Sequence, residues 1–464
     1  MTTTAKKHKL IGDKAFYKMV LAVAVPIMIQ NGISNLVGML DNIMVGRVGT
    51  EQMSGVSIVN QLIFVYNLCI FGGVSGVGIF TAQYFGQRDD KGIRHTFRYK
   101  IWMGLILTAV AIVIFLVAGE PLIQMYLKGS SDGGDPAVAL YHGKRYLWVM
   151  LVGFIPFVFL QIYSSTLWEC GETVVPMVAG IAAIGVNLVL NYLLIFGKFG
   201  FPVLGVVGAA VATVISRFVE AAIVIIWTHR HPEKNTYIVG MYKTLKVPVR
   251  LAKNFFLKGA PLLVNETLWG MGQAMLTQCY SLRGLNVIAA LNIANTLNNV
   301  FMVVYLAMGD AVAIIVGQLL GAGKMEEARD TDNKLIAFSV FSCVIVAAAL
   351  ACVAPFFPQI YNTEAVVKTI ATQILFVQAV FMPQNAFLHA TYFTLRSGGK
   401  TIVTFVFDSV FVWAVSVPTA YFLSRYTGLY IVWMLVVLQM CEWIKCLIGF
   451  ILVKKGVWMQ NIVD

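Results

Sequence analysis

Apolar stretches dominate the chain and recur about twelve times at the length of a membrane-spanning helix. A transmembrane helix needs roughly 20 consecutive, mostly apolar residues to cross the hydrocarbon core of a bilayer. Several stretches are longer than this and must tilt, bend or protrude. The pattern predicts an all-α membrane protein with twelve transmembrane helices. The stretches occupy approximately 17–45, 54–85, 95–118, 139–168, 174–196, 205–228, 254–281, 287–319, 333–353, 364–394, 401–424 and 428–453.

The first stretch differs from the others because polar residues recur along it every three or four positions. This spacing places them on one face of a helix. The stripe consists of Gln30, Asn31, Ser34, Asn35, Asp41 and Asn42, with Gly38 between them. It indicates either a helix lining a cavity, in which Asp41 exchanges a proton or holds a cation, or a seam between helices with Asp41 as a buried anchor. A carboxylate inside a membrane is unfavourable in free energy unless it is protonated, ion-paired or in contact with water. A functional role is therefore favoured for Asp41. Both alternatives stay open for the amides.

The composition agrees with the apolar pattern. Of the 464 residues, 59% are hydrophobic and 12% are charged, whereas soluble domains average about 25% charged residues. The net charge of +12 comes largely from basic residues in the connections between the apolar stretches. We therefore expect a lipid bilayer, and no nucleic acid, as the partner. The seven cysteines are scattered and show no metal spacing, so neither a disulfide framework nor a metal site is expected.

Basic residues in the connections predict the orientation. They cluster before the first span, after the second, between the sixth and seventh, and after the eighth, tenth and last. Arg396 and Lys400 form the cluster after the tenth span. Because cytoplasmic loops carry the excess of Lys and Arg, we expect a multi-pass protein of the inner (plasma) membrane with both termini in the cytoplasm. Glu169 is expected in a solvated turn or helix cap on the same side.

The basic linker 229–253 divides the chain into two parts, 1–228 and 254–464, that repeat. Pro26 and Pro261, for example, are 235 positions apart. With six spans in each part the repeat is parallel, which predicts two six-helix lobes with a central site between them. Pro26 removes one backbone hydrogen bond and is the expected hinge of the first helix. We expect the chain to act as a monomer.

The C-terminal half contains an acid of its own on the seventh predicted helix. Glu266, Trp269 and Gln273 are spaced as one helical face. A carboxylate beside an aromatic ring can receive an organic cation by charge pairing and cation–π contact. The alternative is a buried acid that is hydrogen-bonded to its neighbours. Other polar candidates on the eighth and eleventh helices are Asn295, Asp310 and Asp408.

Several motifs occur in a fixed order along the chain. They are Asp41-Asn-Ile-Met-Val-Gly-Arg-Val-Gly49, Gln83-Tyr-Phe-Gly86, Asn187-Leu-Val-Leu-Asn-Tyr-Leu-Leu-Ile-Phe-Gly197, Gly317-Gln-Leu-Leu-Gly-Ala-Gly323 and Leu395-Arg-Ser-Gly-Gly-Lys-Thr401. Together they resemble the signature of the multidrug and toxic compound extrusion (MATE) family. The resemblance extends over nearly the whole chain in the order of that family, although no single glycine-containing motif is specific.

The resemblance implies two pseudo-symmetric six-helix lobes in a V shape that export amphiphilic, often cationic compounds in exchange for H⁺ or Na⁺. It also implies a cation site in the N-terminal lobe, at the positions Asp41, Asn187, Asn191 and Thr213. Asn187 and Asn191 lie one turn apart on the same helix face. Carboxylate, amide and hydroxyl oxygens suit a hard monovalent ion, and a carboxylate alone suffices for a proton. One branch of the family has an acid where this chain has Asn191, so a second titratable partner is missing here.

The predicted function is therefore a secondary active antiporter for amphiphilic or cationic small molecules, with H⁺ or Na⁺ as coupling ion and no other cofactor. The alternative is a flippase for lipid-linked precursors, which would need a strongly basic cavity. The spans hold little basic charge away from their ends beyond Arg217 and Lys445, and each lies three residues from a glutamate, as in an intrahelical ion pair. An intramembrane enzyme is not expected, because no nucleophile motif occurs and the six histidines lie mostly at helix ends and in loops.

Overall fold

The computed structural model describes residues 10–127, 135–361 and 363–463, and all regular elements within these ranges are helical. The α-helices are α1 (Lys14–Gly46), α2 (Thr50–Gln87), α3 (Asp90–Leu127), α4 (Pro136–Glu169), α5 (Val174–Phe196), α6 (Val206–Arg230), α7 (Val249–Ser281), α8 (Leu285–Phe301), α9 (Val303–Gly321), α10 (Met325–Val353), α11 (Ala365–Ser397), α12 (Thr401–Phe405), α13 (Val417–Tyr426) and α14 (Ile431–Lys454). The predicted all-α class is confirmed.

The helices differ in detail from the predicted spans. Within the described ranges, eleven helical stretches are long and apolar enough to cross a membrane. α7 is not among them, because polar residues such as Asn265 and Gln273 interrupt its apolar sequence. The predicted eighth span divides at Met302 into α8 and α9. The eleventh consists of α12 and α13, which are joined through two π-helical segments, Val406–Val410 and Val412–Ser416.

The helices form two compact units. The first unit comprises Ile29–Thr81 and Asp90–Leu263, and the second comprises the chain up to Met28, Ala82–Asp89 and the chain from Val264 onward. These bounds differ from those of the predicted lobes, 1–228 and 254–464, within α1, α2 and α7. The division into two lobes with a linker stays a prediction.

Close aromatic and backbone contacts pack the first unit. The ring of Tyr66 stacks on Phe154 with 4.0 Å between the centroids, and its hydroxyl shares a hydrogen bond of 2.9 Å with Thr108. α2 and α4 meet at Gly55, where a Cβ atom would overlap the backbone carbonyl of Ala139. These contacts hold α2 and α4 at short range, and both helices contribute side chains to the candidate site.

A buried ion pair joins α3 to α4. Lys100 is fully buried, and its Nζ donates to Glu169 Oε2 at 2.5 Å and to the hydroxyls of Ser165 and Thr166 at 3.1 and 3.2 Å. The expectation that Glu169 lies in a solvated turn is therefore wrong. It is the last residue of α4 and is buried, because the ammonium and carboxylate charges compensate each other and the hydroxyls satisfy the remaining donors.

The linker 229–253 is folded along α3. Arg94, Arg98 and Trp102 are spaced four residues apart on α3, and each donates a hydrogen bond of 3.1 Å to a linker carbonyl. The acceptors are Tyr237, Met241 and Leu245. The side chains of Tyr237 and Met241 are buried, and burial raises the pKa of the Tyr237 phenol well above its ordinary value. The linker is thus an ordered segment that packs on α3 and belongs to the first unit.

The second unit has a hydrophobic core contributed mainly by α7, α8, α10, α11 and α14. Its C-terminal tail, Gly456–Val463, packs beside this core onto the end of α2. The fully buried side chain of Gln83 donates two hydrogen bonds and accepts one there. Its partners are the carbonyls of Ser397 (3.0 Å) and Gln460 (3.2 Å) and the N–H of Ile462 (2.8 Å). Trp458 in the tail is also fully buried.

Candidate functional site

Four predicted site residues from α1, α5 and α6 form one hydrogen-bonded cluster in the first unit. Asn191 Nδ2 donates to Asp41 Oδ1 at 2.6 Å and to Asn187 Oδ1 at 3.0 Å. Asn187 Nδ2 in turn donates to Thr213 Oγ1 at 3.3 Å. Asn187 and Asn191 are buried, and Asn191 Oδ1 accepts no hydrogen bond from the described residues. The structure thus brings together Asp41, Asn187, Asn191 and Thr213, and their role as a cation site stays a prediction.

Asp41 and Thr213 lie on the wall of a cavity of about 310 Å³ between α1, α2, α4 and α6. Within the described ranges no cationic side chain lies within ion-pair distance of Asp41, although the carboxylate interacts electrostatically with Arg217 on the same cavity wall. Asn60 and Tyr146 contribute further polar atoms, and the Tyr146 hydroxyl donates to Asn60 Oδ1 at 3.2 Å. Aromatic rings complete the wall, among them Phe64, Phe154 and Phe157. A carboxylate in this setting can exchange a proton or bind a cation.

Arg217 of α6 also lines this cavity. Its Nη1 donates to Glu220 Oε2 at 3.0 Å, which agrees with the pair expected from their spacing, and its Cζ lies 5.6 Å from the centroid of the Phe157 ring. No motif or spacing in the sequence assigns Arg217, Asn60 or Tyr146 to the site. The available signal was a charge or amide within an apolar stretch, which carries no information about which cavity the residue faces.

The polar residues of α1 do not all lie on the same cavity. Gln30, Asn31, Ser34 and Asn35 do not line the cavity that contains Asp41. Ser34 and Asn35 are exposed, while Gln30 and Asn31 are half-buried. The side chain of Gln30 packs against Gly180 of α5, and its Oε1 is buried. A role of these four residues in binding substrate stays a prediction.

Glu266 belongs to a buried polar network in the second unit. It accepts a hydrogen bond of 3.1 Å from the Tyr392 hydroxyl and lies 3.9 Å from Arg396 Nη1. The neighbouring Asn265 donates to Tyr392 and to Asp408 Oδ2, both at 3.2 Å. This geometry corresponds to the buried-acid alternative for Glu266.

The other predicted site residues of the C-terminal half, Trp269, Gln273 and Asn295, differ in burial and in their contacts. Trp269 packs against the hydrophobic core, Gln273 is exposed, and Asn295 accepts a hydrogen bond of 3.0 Å from Gln378. A cation-receiving face made of Glu266, Trp269 and Gln273 therefore stays a prediction.

Arg396 corrects one element of the orientation argument. The sequence predicts Arg396 as a loop charge after the tenth span, but the residue lies within α11 and is only 3% exposed. The guanidinium packs over Phe393, with Cζ 5.2 Å from the ring centroid, and interacts electrostatically with Glu266 and Asp310. These nearby acids make burial of the cation tolerable.

Asp408 lies in the first π-helical segment and is ion-paired. Lys445 Nζ of α14 lies 2.8 Å from Asp408 Oδ1 and 3.8 Å from Glu442 Oε2. The intrahelical pair expected between Glu442 and Lys445 is thus present, but the shorter contact is the one to Asp408. This geometry corresponds to the alternative of a paired structural charge.

Two further expectations concern Pro26 and metal binding. Pro26 is buried inside α1, which is helical from Lys14 to Gly46, so its role as a hinge stays a prediction. Within the described ranges, no group of three or more His, Cys, Asp or Glu side chains is arranged to hold a metal ion.

Comparison with known proteins identifies the family. The MatE family model matches residues 26–193 and 261–422. The probable multidrug resistance protein NorM of Oceanobacillus iheyensis is 25% identical over 430 residues, which cover 92% of each chain. The multidrug resistance protein MdtK of Pectobacterium atrosepticum is 24% identical over 416 residues, 87% of this chain and 86% of that protein.

Solved structures share the fold over almost the whole chain. A MOP superfamily transporter from Pyrococcus furiosus superposes with a TM-score of 0.82 at 21% identity, covering 99% of this chain and 100% of the other. A multidrug resistance MATE family transporter in an outward-facing conformation gives the same TM-score at 22% identity, covering 98% of this chain and 99% of the other. From the family match along both halves we conclude that the chain is a multi-pass membrane transporter of the MatE, or multidrug and toxic compound extrusion, family.

Proposed function

We propose that the protein is a secondary active antiporter that exports amphiphilic or cationic organic molecules in exchange for H⁺ or Na⁺. The observation that carries this proposal is the position of Asp41. Its carboxylate lies on a cavity, outside any ion pair of the described residues, and is hydrogen-bonded to Asn191. The multidrug resistance names of NorM and MdtK support organic compounds as the exported class.

The cluster around Asp41 explains how an inorganic ion and an organic cation could exclude each other. Asp41 is the only acidic side chain on the cavity wall as described, so both ligands would compete for one negative charge. A ligand shifts a conformational equilibrium only through its different affinities for the two states. Exchange therefore requires that the coupling ion favours one arrangement of the transporter and the organic substrate the other.

The chemistry of the cluster is compatible with either ion. A proton needs only the Asp41 carboxylate. Na⁺ would additionally use neutral oxygens, for which the cluster offers Asn191 Oδ1 and Thr213 Oγ1. We further propose that the protein acts as a monomer in the inner membrane with both termini in the cytoplasm.

Transport by the purified full-length protein in proteoliposomes tests the proposal. A fluorescent organic cation is followed under a proton gradient and, separately, under a sodium gradient. We expect Asp41→Asn to abolish ion-coupled export without loss of the folded protein, because the amide can neither be protonated nor neutralise a cation. Glu120→Gln is the matched control, since Glu120 is a half-exposed acid paired with Lys144 in the same unit. Wild-type export by Asp41→Asn would refute the assignment.

The alternative of a lipid-precursor flippase would be supported by a strongly basic cavity. The cavity described here has one guanidinium, that of Arg217, and this cation is already paired with Glu220. The charge of the cavity thus favours the antiporter proposal.

A further inference from the structure

The linker 229–253 follows α3 from the first turns of that helix toward its apolar part. The α3 side chains that donate hydrogen bonds to the linker are Arg94, Arg98 and Trp102. At 1.5 Å per residue these donors span about 12 Å of the helix. The carbonyls that accept the bonds are also spaced four residues apart, and the last of them belongs to Leu245. The far end of the linker is therefore held beside Trp102.

Trp102 lies where α3 changes from charged to apolar sequence. Lys and Arg recur between Asp90 and Lys100, whereas the range 101–118 contains no charged residue. The Trp102 side chain is 50% exposed. Tryptophan is enriched at the boundary between the headgroups and the hydrocarbon core of a bilayer. Trp102 therefore marks the level of the membrane surface on α3, and Leu245 of the linker lies at the same level.

Three exposed cations flank Leu245 along the chain. They are Lys243, Lys246 and Arg250, which we call the linker cations. Within the part of the chain that the structure describes, none of them makes an ion pair. The neighbouring sequence supplies no acid either, because no Asp or Glu occurs between Glu233 and Glu266. The positive charge of the linker cations is thus available to an anionic partner.

Exposed apolar side chains accompany the linker cations. Val249 is 84% exposed, and Leu245 is exposed as well. A soluble anion would match the charge but would leave these side chains and the Trp102 indole in water. A phospholipid offers both an anionic phosphate and apolar chains, and basic clusters directly outside a membrane-spanning helix are typical binding sites for anionic lipids. The arrangement of charge and apolar surface therefore favours a lipid over a soluble anion.

We propose that the linker cations, together with Trp102 and Leu245, form a docking surface for the headgroups of anionic phospholipids. The surface lies within the first unit and is independent of the proposed exchange reaction. A zwitterionic lipid carries the same phosphate but adds a positive group, which the linker cations repel, so the surface prefers the anionic lipid. The competing explanation is that the linker cations are solvated and serve only as an orientation signal.

The fluorescence of Trp102 reports on lipids that occupy this surface. The full-length protein is reconstituted into phosphatidylcholine vesicles that contain increasing fractions of a lipid with brominated chains, because bromine quenches indole fluorescence at short range. The brominated lipid is either phosphatidylglycerol, which is anionic, or phosphatidylcholine, which is zwitterionic. Subtraction of the quenching measured with Trp102→Phe isolates the contribution of Trp102. We expect phosphatidylglycerol to quench Trp102 at the lower fraction. This preference should fall about fivefold for each linker cation replaced by Gln and disappear when all three are replaced.

The control replaces Arg47, Arg145 and Lys198 by Gln, which removes three exposed cations of the same unit outside the linker. This variant should keep the lipid preference, and so should Lys243→Arg combined with Lys246→Arg, which retains the charge. Equal quenching by both lipids in the wild type leaves the surface to solvent or to a protein partner and overturns the proposal. An unchanged preference after replacement of all three linker cations overturns it as well. An equal loss in the control attributes the effect to the net charge of the protein and also overturns the docking surface.

Discussion

The bond between Asn191 and Asp41 offers a prediction whose sign depends on the coupling ion. The substitution Asn191→Ala removes the 2.6 Å hydrogen bond to the carboxylate and the buried Oδ1 atom of the amide. A hydrogen bond to a charged group contributes about 1.5–3 kcal/mol. With about 1.4 kcal/mol for each factor of ten, the affinity for the coupling ion should change roughly ten- to a hundredfold.

The direction of the change distinguishes the two ions. If the ion is Na⁺, the variant loses a neutral oxygen ligand and the support of the carboxylate, so the half-saturating sodium concentration rises. If the ion is H⁺, the variant loses a bond that stabilises the ionised carboxylate, so the carboxylate is protonated more easily. The half-saturating proton concentration then falls, and exchange persists to higher pH.

The assay is export from proteoliposomes at varied internal and external concentrations of one ion while the other is held equal on both sides. Asn286→Ala is the control, because Asn286 donates to Glu364 at 3.4 Å in an exposed amide–carboxylate pair outside the site. An unchanged half-saturating concentration for both ions would refute the role of Asn191. An equal shift in Asn286→Ala would show that the effect is not specific to the cluster.

Two further predictions concern stability. Lys445→Met leaves Asp408 and Glu442 without their cation, and removal of one partner from a buried ion pair costs about 3–5 kcal/mol, so the apparent Tm in detergent should fall clearly. Adding Asp408→Asn should recover part of the loss, and a wild-type Tm for Lys445→Met would contradict the importance of the pair. Gly321→Ala places a Cβ atom onto the backbone carbonyl of Gln83, and forced overpacking costs about 1–3 kcal/mol, so the Tm should fall here too. Gly185→Ala, with open space around it, is the control, and equal Tm values for the two glycine variants would exclude tight packing at Gly321.

The helical architecture could be predicted because apolar stretches of spanning length are a local property of the sequence. The errors arose where tertiary contacts decide the outcome. Lys100 and Glu169 are 69 positions apart, and only the packing of α3 on α4 shows that each compensates the other. Arg396 looked like a loop charge because it follows an apolar stretch, but the acids Glu266 and Asp310 that make its burial tolerable come from other helices.

The candidate site was predictable in part. The four-residue spacing of Asn187 and Asn191 implied a shared helix face, and the family resemblance supplied their grouping with Asp41 and Thr213. Hydrogen bonds in the structure join all four residues. Arg217 was expected only to pair with Glu220, since spacing along one helix says nothing about the cavity on the other side of the guanidinium.

The docking of the C-terminal tail has a consequence for how the end of α2 can move. The side chain of Gln83 simultaneously engages Ser397 at the end of α11 and two residues of the tail. Withdrawal of the Gln83 side chain from this site must therefore break three hydrogen bonds of a single buried amide, one to Ser397 and two to the tail. These hydrogen bonds break cooperatively, because a partly separated state leaves the amide buried away from water with some of its hydrogen bonds unmade. We therefore expect the Gln83 end of α2 to be either fully docked on the tail or fully released from it.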